Sequence, residues 1–441
     1  RICGDANRKF VMAKSFDQRV QQHDLTVAVI GLGYVGLPLA VSFAEAGYVA
    51  LGFDVHSGVV ANLNKSVSHI ADVPSERIAQ VAQAKRFSAT TNPKDLSSAD
   101  VIFICVPTPF DKTQTPDLSY IQSATETVTS VLRSEMLIIL QSTTYPGTTT
   151  EFVKPILEKN GLQAGKDFYL AFSPERVDPG NETWHVRNTP KVVGGFTSEC
   201  VRRSALLLAS LMENPNLVHS VGSPAVAEMA KLLENTYRAV NIALVNELAQ
   251  MCHKMDIDVW EVIDAAATKP FGFQPFYPGI GPGGHCIPVD PHYLAWKARE
   301  YEFQLRFVEL AADVNTQMAE YAVSRLQDLL NNESKSLRGS NILCFGAAFK
   351  PGVSDVRNSR AIRIMEMLAE CGATVAYSDP LVDELTISNT VLRSVSVEQI
   401  NQTNWDAAMV LVNAKDLPLQ QLSAKGIPIF DAVNAGGPPS G

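Results

Sequence analysis

Three glycines, Gly31, Gly33 and Gly36, follow an apolar run at 26–30 in the spacing G-x-G-x-x-G and open a helix-length stretch. The first glycine lets a strand turn sharply, the second lets backbone approach a pyrophosphate, and the third lets the helix pack close on the strand. The helix amides then face the phosphate charge. A second apolar run, 49–53, ends at Asp54, 18 residues beyond Gly36. A carboxylate there accepts hydrogen bonds from a ribose 2′-hydroxyl, which favours NAD over NADP; the plain alternative is a solvated loop carboxylate.

Strand-length runs at 101–106, 137–141, 169–172 and 191–193 alternate with amphipathic stretches, as in a parallel sheet covered by helices on both faces. Strand signals vanish between 223 and 330, where helical periodicity runs through 225–255 and 308–330. They return at 341–345, 374–377, 407–412 and 428–430. The expected class is α/β, with two doubly wound parallel-sheet domains joined by a central helical region. Expected boundaries are an N-terminal extension at 1–24, a dinucleotide-binding domain at 25–212, a helical region at 213–330 and a C-terminal α/β domain at 331–441. The last break falls in the polar stretch 331–340 around Gly339.

A chain of 441 residues with 46% hydrophobic content builds more than one core. Its 37 Lys+Arg against 46 Asp+Glu leave a net charge of −9, which argues against non-specific attraction to nucleic acid or an anionic membrane. An anionic substrate is therefore held by local groups. Residues 25–53 carry little charge and are long enough to span a bilayer, but Gly31, Gly33, Gly36, Pro38, Gly47 and Gly52 break them where a strand, turn, helix and strand need breaks. No membrane span is expected. The first 24 residues have no apolar h-region and do not read as a secretory signal. Seven cysteines without a C-x-x-C pair argue against a disulfide framework or a metal site, and suit a reducing cytoplasm.

Candidate chemistry clusters in several places. Val106-Pro107-Thr108-Pro109 and Ser142-Thr143 fall at strand ends, on the edge where open α/β sheets bind ligands, and each reads equally as a plain turn. In the loop 278–291, Cys286 follows Gly279, Gly281, Gly283 and Gly284 and precedes Asp290 by four residues, just ahead of a helical stretch near His292. Exposed amides and the helix dipole would lower the pKa of that thiol and make it nucleophilic. Cys105, Cys252 and Cys344 read instead as buried hydrophobes. His285 is either a base or, the preferred reading, a loop-orienting group.

Lys231 and Asn235, spaced i and i+4, share a helix face among Ala230, Leu232 and Leu233. A desolvated lysine can lose its proton or polarise an oxyanion, and an asparagine can donate to the same oxygen; an exposed lysine beside a helix-packing asparagine is the equal alternative. In Ser173-Pro174-Glu175-Arg176, Glu175 is an acid/base or water-holding group, or an ion pair with Arg176. Phe349-Lys350 and Asp355-x-Arg357 place cations after the run 341–345, where they reach phosphates or are ordinary surface charge.

Together these motifs resemble the UDP-glucose/GDP-mannose dehydrogenase family along residues 26–433, and Phe271-Gly272-Phe273-Gln274-Pro275-Phe276-Tyr277-Pro278-Gly279 looks most like its UDP-N-acetylhexosamine members, of the UDP-N-acetylglucosamine type. The resemblance implies two Rossmann-like domains, N-terminal for NAD and C-terminal for the nucleotide, bridged by a helical region that forms a homodimer. It implies that Tyr34 and Val35 join Gly31, Gly33, Gly36, Asp54, Thr108, Ser142 and Thr143 at the cofactor, with Arg357 reaching back to it. Lys231 and Asn235 would hold and polarise the sugar C6 oxygen, Cys286 would attack the aldehyde, and Asp290 with Glu175 would handle protons and water. Arg176 is expected beside the substrate, Tyr277 and Gly283 near its phosphates, and Phe349 and Lys350 against nucleotide or sugar. One departure is Asp431-Ala432-Val433-Asn434, where some relatives carry a substrate-binding arginine.

The implied reaction is a four-electron oxidation of a UDP-sugar C6 alcohol to the acid, through an aldehyde and a Cys286 thioester, supplying polysaccharide precursors in the cytoplasm. UDP-glucose is the alternative substrate. A two-electron hydroxyacid dehydrogenase needs no thiol, and a non-catalytic nucleotide-binding module would have lost the cysteine or lysine; neither is missing.

Overall fold

The computed structural model describes residues 14–110, 115–178, 180–181, 183–284 and 287–437. The chain forms two compact units, one of residues 1–108 with 117–231 and one of 109–116 with 232–441. The first holds an eight-stranded sheet of β1 (Thr26–Ile30), β2 (Val49–Phe53), β3 (Phe87–Thr90), β4 (Val101–Ile104), β5 (Leu137–Leu140), β6 (Tyr169–Phe172), β7 (Lys191–Gly195) and β8 (Val218–Val221). The order is β3-β2-β1-β4-β5-β6-β7-β8, parallel throughout except for the β6–β7 pair.

Central strands β4, β5 and β6 are buried along their whole length, which is why they appear in sequence as unbroken apolar runs. Because side chains alternate across a strand, Val27 and Val29 enter the core on one face and Ala28 and Ile30 the core on the other. Each such buried Val or Ile side chain contributes roughly 1.5–3 kcal/mol. The apolar segment 25–53 becomes β1, the ten-residue helix Gly36–Glu45 and β2. Among the described residues no helix is long and apolar enough to cross a membrane.

Edge strands β3 and β8 escaped the sequence reading. Their side chains are half solvated, so Phe-Ser-Ala-Thr and Val-His-Ser-Val lack the apolar density of a buried strand. As β8 belongs to the first sheet, that sheet extends to Val221, past residue 212.

The second unit combines helices Val259–Ala267, Asp290–Arg299, Arg306–Asn332 and most of Pro224–Lys254 with a four-stranded parallel sheet. The sheet consists of β9 (Asn341–Phe345), β10 (Thr374–Ser378), β13 (Ala407–Val410) and β14 (Ile429–Asp431), in the order β10-β9-β13-β14. A hairpin of β11 (Glu384–Ile387) and β12 (Thr390–Arg393) lies outside it. Ala319, Ala322, Leu326 and Leu330 of the long helix Arg306–Asn332 share a core with Ile342 and Cys344, so the helical and C-terminal regions are packed as one body. Two buried asparagines tie the helices together. Asn246 donates to Asn315 (2.9 Å), and Asn315 donates to the Ala239 carbonyl (3.0 Å).

The two units repeat one local device. After β1 the Gly31 amide donates to the Phe53 carbonyl, and Asp54 accepts from the Leu32 amide (2.8 and 2.9 Å). After β9 the Gly346 amide donates to the Ser378 carbonyl, and Asp379 accepts from the Ala347 amide (2.9 and 2.8 Å). Both glycines have positive φ, +90° and +88°. The expected pair of Rossmann-like sheets is present.

Candidate active site

At the glycine turn the three positions have three different surroundings. A Cβ on Gly31 would lie 2.7 Å from the Cys105 carbonyl, one on Gly36 would overlap the Gly31 carbonyl, and one on Gly33 would meet nothing within 4 Å. The outer two glycines are required by the fold, while Gly33 leaves the space a pyrophosphate takes. Helix Gly36–Glu45 begins without a capping side chain at Val35; the Leu37 amide donates to the Gly33 carbonyl (3.1 Å) and Pro38 has no amide to offer, so the helix start presents few amides beyond the glycine turn itself. Asp54 is fixed rather than loose, accepting from the amides of Leu32 and His56, both at 2.9 Å. Tyr34 and Val35 pack against the first core. Ser142 donates to the Val106 carbonyl (2.7 Å), which ties the Ser142-Thr143 turn to the segment carrying Thr108. These residues fit NAD.

Glu175 is buried and fully engaged. One carboxylate oxygen accepts from the amides of Arg176 (2.7 Å) and Val177 (3.1 Å), the other from Gln141 (2.9 Å), and Lys191 bonds to both at 2.9 Å. Burial acts to raise its pKa, but the Lys191 ammonium and the amides outweigh that and hold it below the usual carboxylate value. The ion pair considered for Glu175 with Arg176 is thus made with Lys191, and the Arg176 guanidinium donates to the Pro190 carbonyl (3.0 Å). Sequence reasoning missed Lys191 because it opens an apolar strand 16 residues away.

It also missed Glu228. This carboxylate is buried three residues before Lys231 and accepts from the Gly147 amide (2.6 Å), the Thr149 amide (2.9 Å) and the Thr149 hydroxyl (2.6 Å). It anchors the start of the helix Pro224–Lys254 to the turn after β5. Burial pushes its pKa up. Lys231 itself is 9% exposed and makes no hydrogen bond or ion pair among the described residues.

In the second unit Asn235 donates to Asp290, which is 2% exposed and opens the helix Asp290–Arg299. A carboxylate in the first turn is favoured by the helix dipole. Gly283 and Gly284 press on Phe349, where an added Cβ would come within 2.9 and 3.0 Å of its side chain, and Asn358 donates to the Gly284 carbonyl (3.0 Å). Gly283, Phe349, Asn235 and Asp290 all belong to the second unit, with Gly283 and Asp290 on either side of Cys286 in the chain. Cys286 and His285 lie outside the described residues. Lys350 is half-buried, with its ammonium 5.9 Å from the Phe349 ring centre.

Tyr277 donates to Asp264 (2.9 Å) and stacks on Trp260. Arg357 grips Asp355 through two nitrogens (2.6–3.1 Å). Asp431 accepts from the amides of Val433 and Gly436, which closes the turn after β14. Cys105, Cys252 and Cys344 are buried as expected, and burial pushes the Cys344 thiol up to about 12.

Two nucleotide-type sheets, one with a complete dinucleotide turn, define an NAD-binding oxidoreductase architecture. The chain belongs to the UDP-glucose/GDP-mannose dehydrogenase family and is an NAD-dependent nucleotide-sugar dehydrogenase. Its NAD binding domain model matches residues 25–212, its central domain 225–317 and its UDP binding domain 343–435. A UDP-N-acetyl-D-glucosamine 6-dehydrogenase from Pseudomonas aeruginosa is 39% identical over 360 residues, covering 81% of this chain and 83% of that protein. The structure of a UDP-D-ManNAc dehydrogenase from Pyrococcus horikoshii is similar with a TM-score of 0.86 at 32% identity, covering 95% of this chain and 97% of that one. That of a UDP-glucose dehydrogenase from Pyrobaculum islandicum is similar at 0.80 and 25% identity, covering 93% and 95%.

Proposed function

We propose that this protein oxidises the C6 alcohol of a UDP-N-acetylhexosamine to the carboxylate through a covalent intermediate on Cys286, making a precursor for polysaccharide synthesis. The observation that carries the reading is the buried Asn235–Asp290 pair bordering the cysteine loop, in a chain 39% identical to a UDP-N-acetyl-D-glucosamine 6-dehydrogenase. NAD, when bound, would accept one hydride per molecule, so the two oxidations at the same carbon would consume two NAD in succession.

In the first, Lys231 or a water held by Asp290 takes the hydroxyl proton as hydride leaves C6, giving an aldehyde. Asn235 and Lys231 steady the oxygen. The Cys286 thiolate then adds to the carbonyl carbon, and the thiohemiacetal gives up a second hydride to become a thioester. Water cleaves it, releasing the carboxylate and the thiol. Glu175 enters chiefly as an anchor, since Lys191, Gln141 and two amides occupy its oxygens.

An absorbance assay for NADH against UDP-N-acetylglucosamine, UDP-N-acetylgalactosamine, UDP-N-acetylmannosamine, UDP-glucose and GDP-mannose tests this. Two NADH per sugar are expected, fastest with an N-acetylated UDP-sugar. One NADH per substrate, or none with any sugar nucleotide, overturns the reading, and a preference for UDP-glucose selects the alternative substrate.

The protein works as a homodimer in a reducing cytoplasm. Leu233, Tyr237, Leu244, Leu248 and Met251 form an exposed apolar stripe along one face of the helix Pro224–Lys254, a surface a second copy would cover. Cys105, Cys200, Cys252, Cys344 and Cys371 are free thiols. Sedimentation equilibrium should give twice the chain mass of 47.9 kDa; a monomer at micromolar concentration removes the dimer.

A further inference from the structure

A small cleft in the second unit has none of the cofactor or substrate residues named above in its lining. Ala239, Val240, Val308 and Ala312 supply apolar walls, and Pro282 and Ile287, which flank the cysteine loop, close one side. Its polar lining includes Thr236, His292, Thr316 and Arg360.

Arg360 is placed where a cation is disfavoured on three counts. It is half-buried, and its Nε is shut off from solvent without a hydrogen-bond partner. No carboxylate pairs with it among the described residues, and only the Thr316 hydroxyl accepts from its guanidinium (3.3 Å). It is also the first residue of the helix Arg360–Glu370, the positive end of the dipole, where the first turn carries no acid and Ser359 provides no side-chain cap. Ser359 donates instead to the Ala348 carbonyl.

The Thr236 hydroxyl, on a residue more than nine-tenths buried, is likewise without a partner. Burial, with Arg299 and Arg360 nearby, lowers the pKa of His292 against the opposing pull of Asp313 and Glu309, so the ring adds little positive charge of its own beside the Arg360 guanidinium. An apolar cleft holding two orphaned donors and an uncompensated guanidinium has the chemistry of an anion site.

We propose that this cleft binds a small oxyanion, a carboxylate or phosphate group, on the Arg360 guanidinium and the Thr236 hydroxyl. An anion there offsets the buried charge and braces Pro282 and Ile287, the two borders of the loop that carries Cys286. The site does not depend on which sugar the enzyme oxidises.

Calorimetric titration of the whole protein with inorganic phosphate, and separately with acetate, tests the site, each run with and without saturating UDP. Wild-type protein is expected to bind at least one of the two anions with UDP present, and the tighter one shows whether the natural ligand carries phosphate or carboxylate. Arg360→Gln should weaken that binding by about tenfold or more. In anion-poor buffer the same variant should melt no lower than wild type, because an uncompensated charge has been removed. Absence of binding by either anion, loss of binding on adding UDP, or unchanged affinity in Arg360→Gln overturns the proposal. Should Arg360→Gln fail to fold, Thr236→Val decides: weaker binding supports the site and unchanged binding overturns it.

Discussion

The side-chain amide of Asn235 donates a hydrogen bond to the carboxylate of Asp290, 55 residues further along the chain, and the carboxylate is almost wholly out of contact with water. The bond joins the long helix Pro224–Lys254 to the first turn of the helix Asp290–Arg299, so the side chain we propose for the sugar oxygen is oriented by the one we propose for proton transfer. A bond to a charged acceptor contributes roughly 1.5–3 kcal/mol, and removing the donor leaves a buried charge short of a partner.

Asn235→Ala should therefore reduce kcat/KM by about 10²–10³-fold, the loss seen when one oxyanion donor is removed. The loss should fall mainly on kcat. Steady-state kinetics with the preferred UDP-sugar measure it, and a change confined to KM would assign Asn235 to ground-state binding alone.

Cys286→Ser should stop the reaction short of the acid, since a hydroxyl at that position is a far weaker nucleophile than a thiolate. Mass spectrometry of the product and an NADH count are the checks. Sugar carboxylate formed at wild-type rate would exclude the covalent route.

The glycines of the dinucleotide turn should separate fold from binding. Gly36→Ala drives a methyl into the Gly31 carbonyl and should cost upwards of about 3 kcal/mol or prevent folding. Gly33→Ala meets open space, so the protein should melt as wild type while its Kd for NAD rises by about tenfold or more. Thermal melts and fluorescence titration of NAD tell the two apart.

Glu175 makes stability depend on pH in a defined direction. Its folded pKa lies below the unfolded value, so the ionised carboxylate contributes full stability above about pH 4.3, the unfolded carboxyl value, and that contribution drains away as pH falls through the lower folded value. Glu175→Gln should flatten this acid limb and, by leaving Lys191 buried without its counter-charge, cost about 3–5 kcal/mol at neutral pH. Urea denaturation between pH 3 and 7 reads both effects; an acid limb of unchanged steepness would assign it to other carboxylates.

Reading the chain by itself, one obtains the glycine turn with Asp54, the buried strands β1, β2 and β6 to the residue, the two long helices to within about two residues, and the motif around Cys286. These are set by local rules: strand and helix periodicity, and glycine where backbone needs room. What tertiary structure alone decided is which polar groups lose water together. Lys191 at the start of β7 meets Glu175 in the loop after β6, Glu228 meets the turn at Gly147, Asn246 meets Asn315 between helices, and Arg360 lines one cleft with Thr236, paired with no carboxylate among the described residues. The helical region and the C-terminal sheet share a core for the same kind of reason. Local patterns show which face of an element is apolar, but the partner that covers it, and the charges buried with it, are chosen by contacts between residues far apart in the chain.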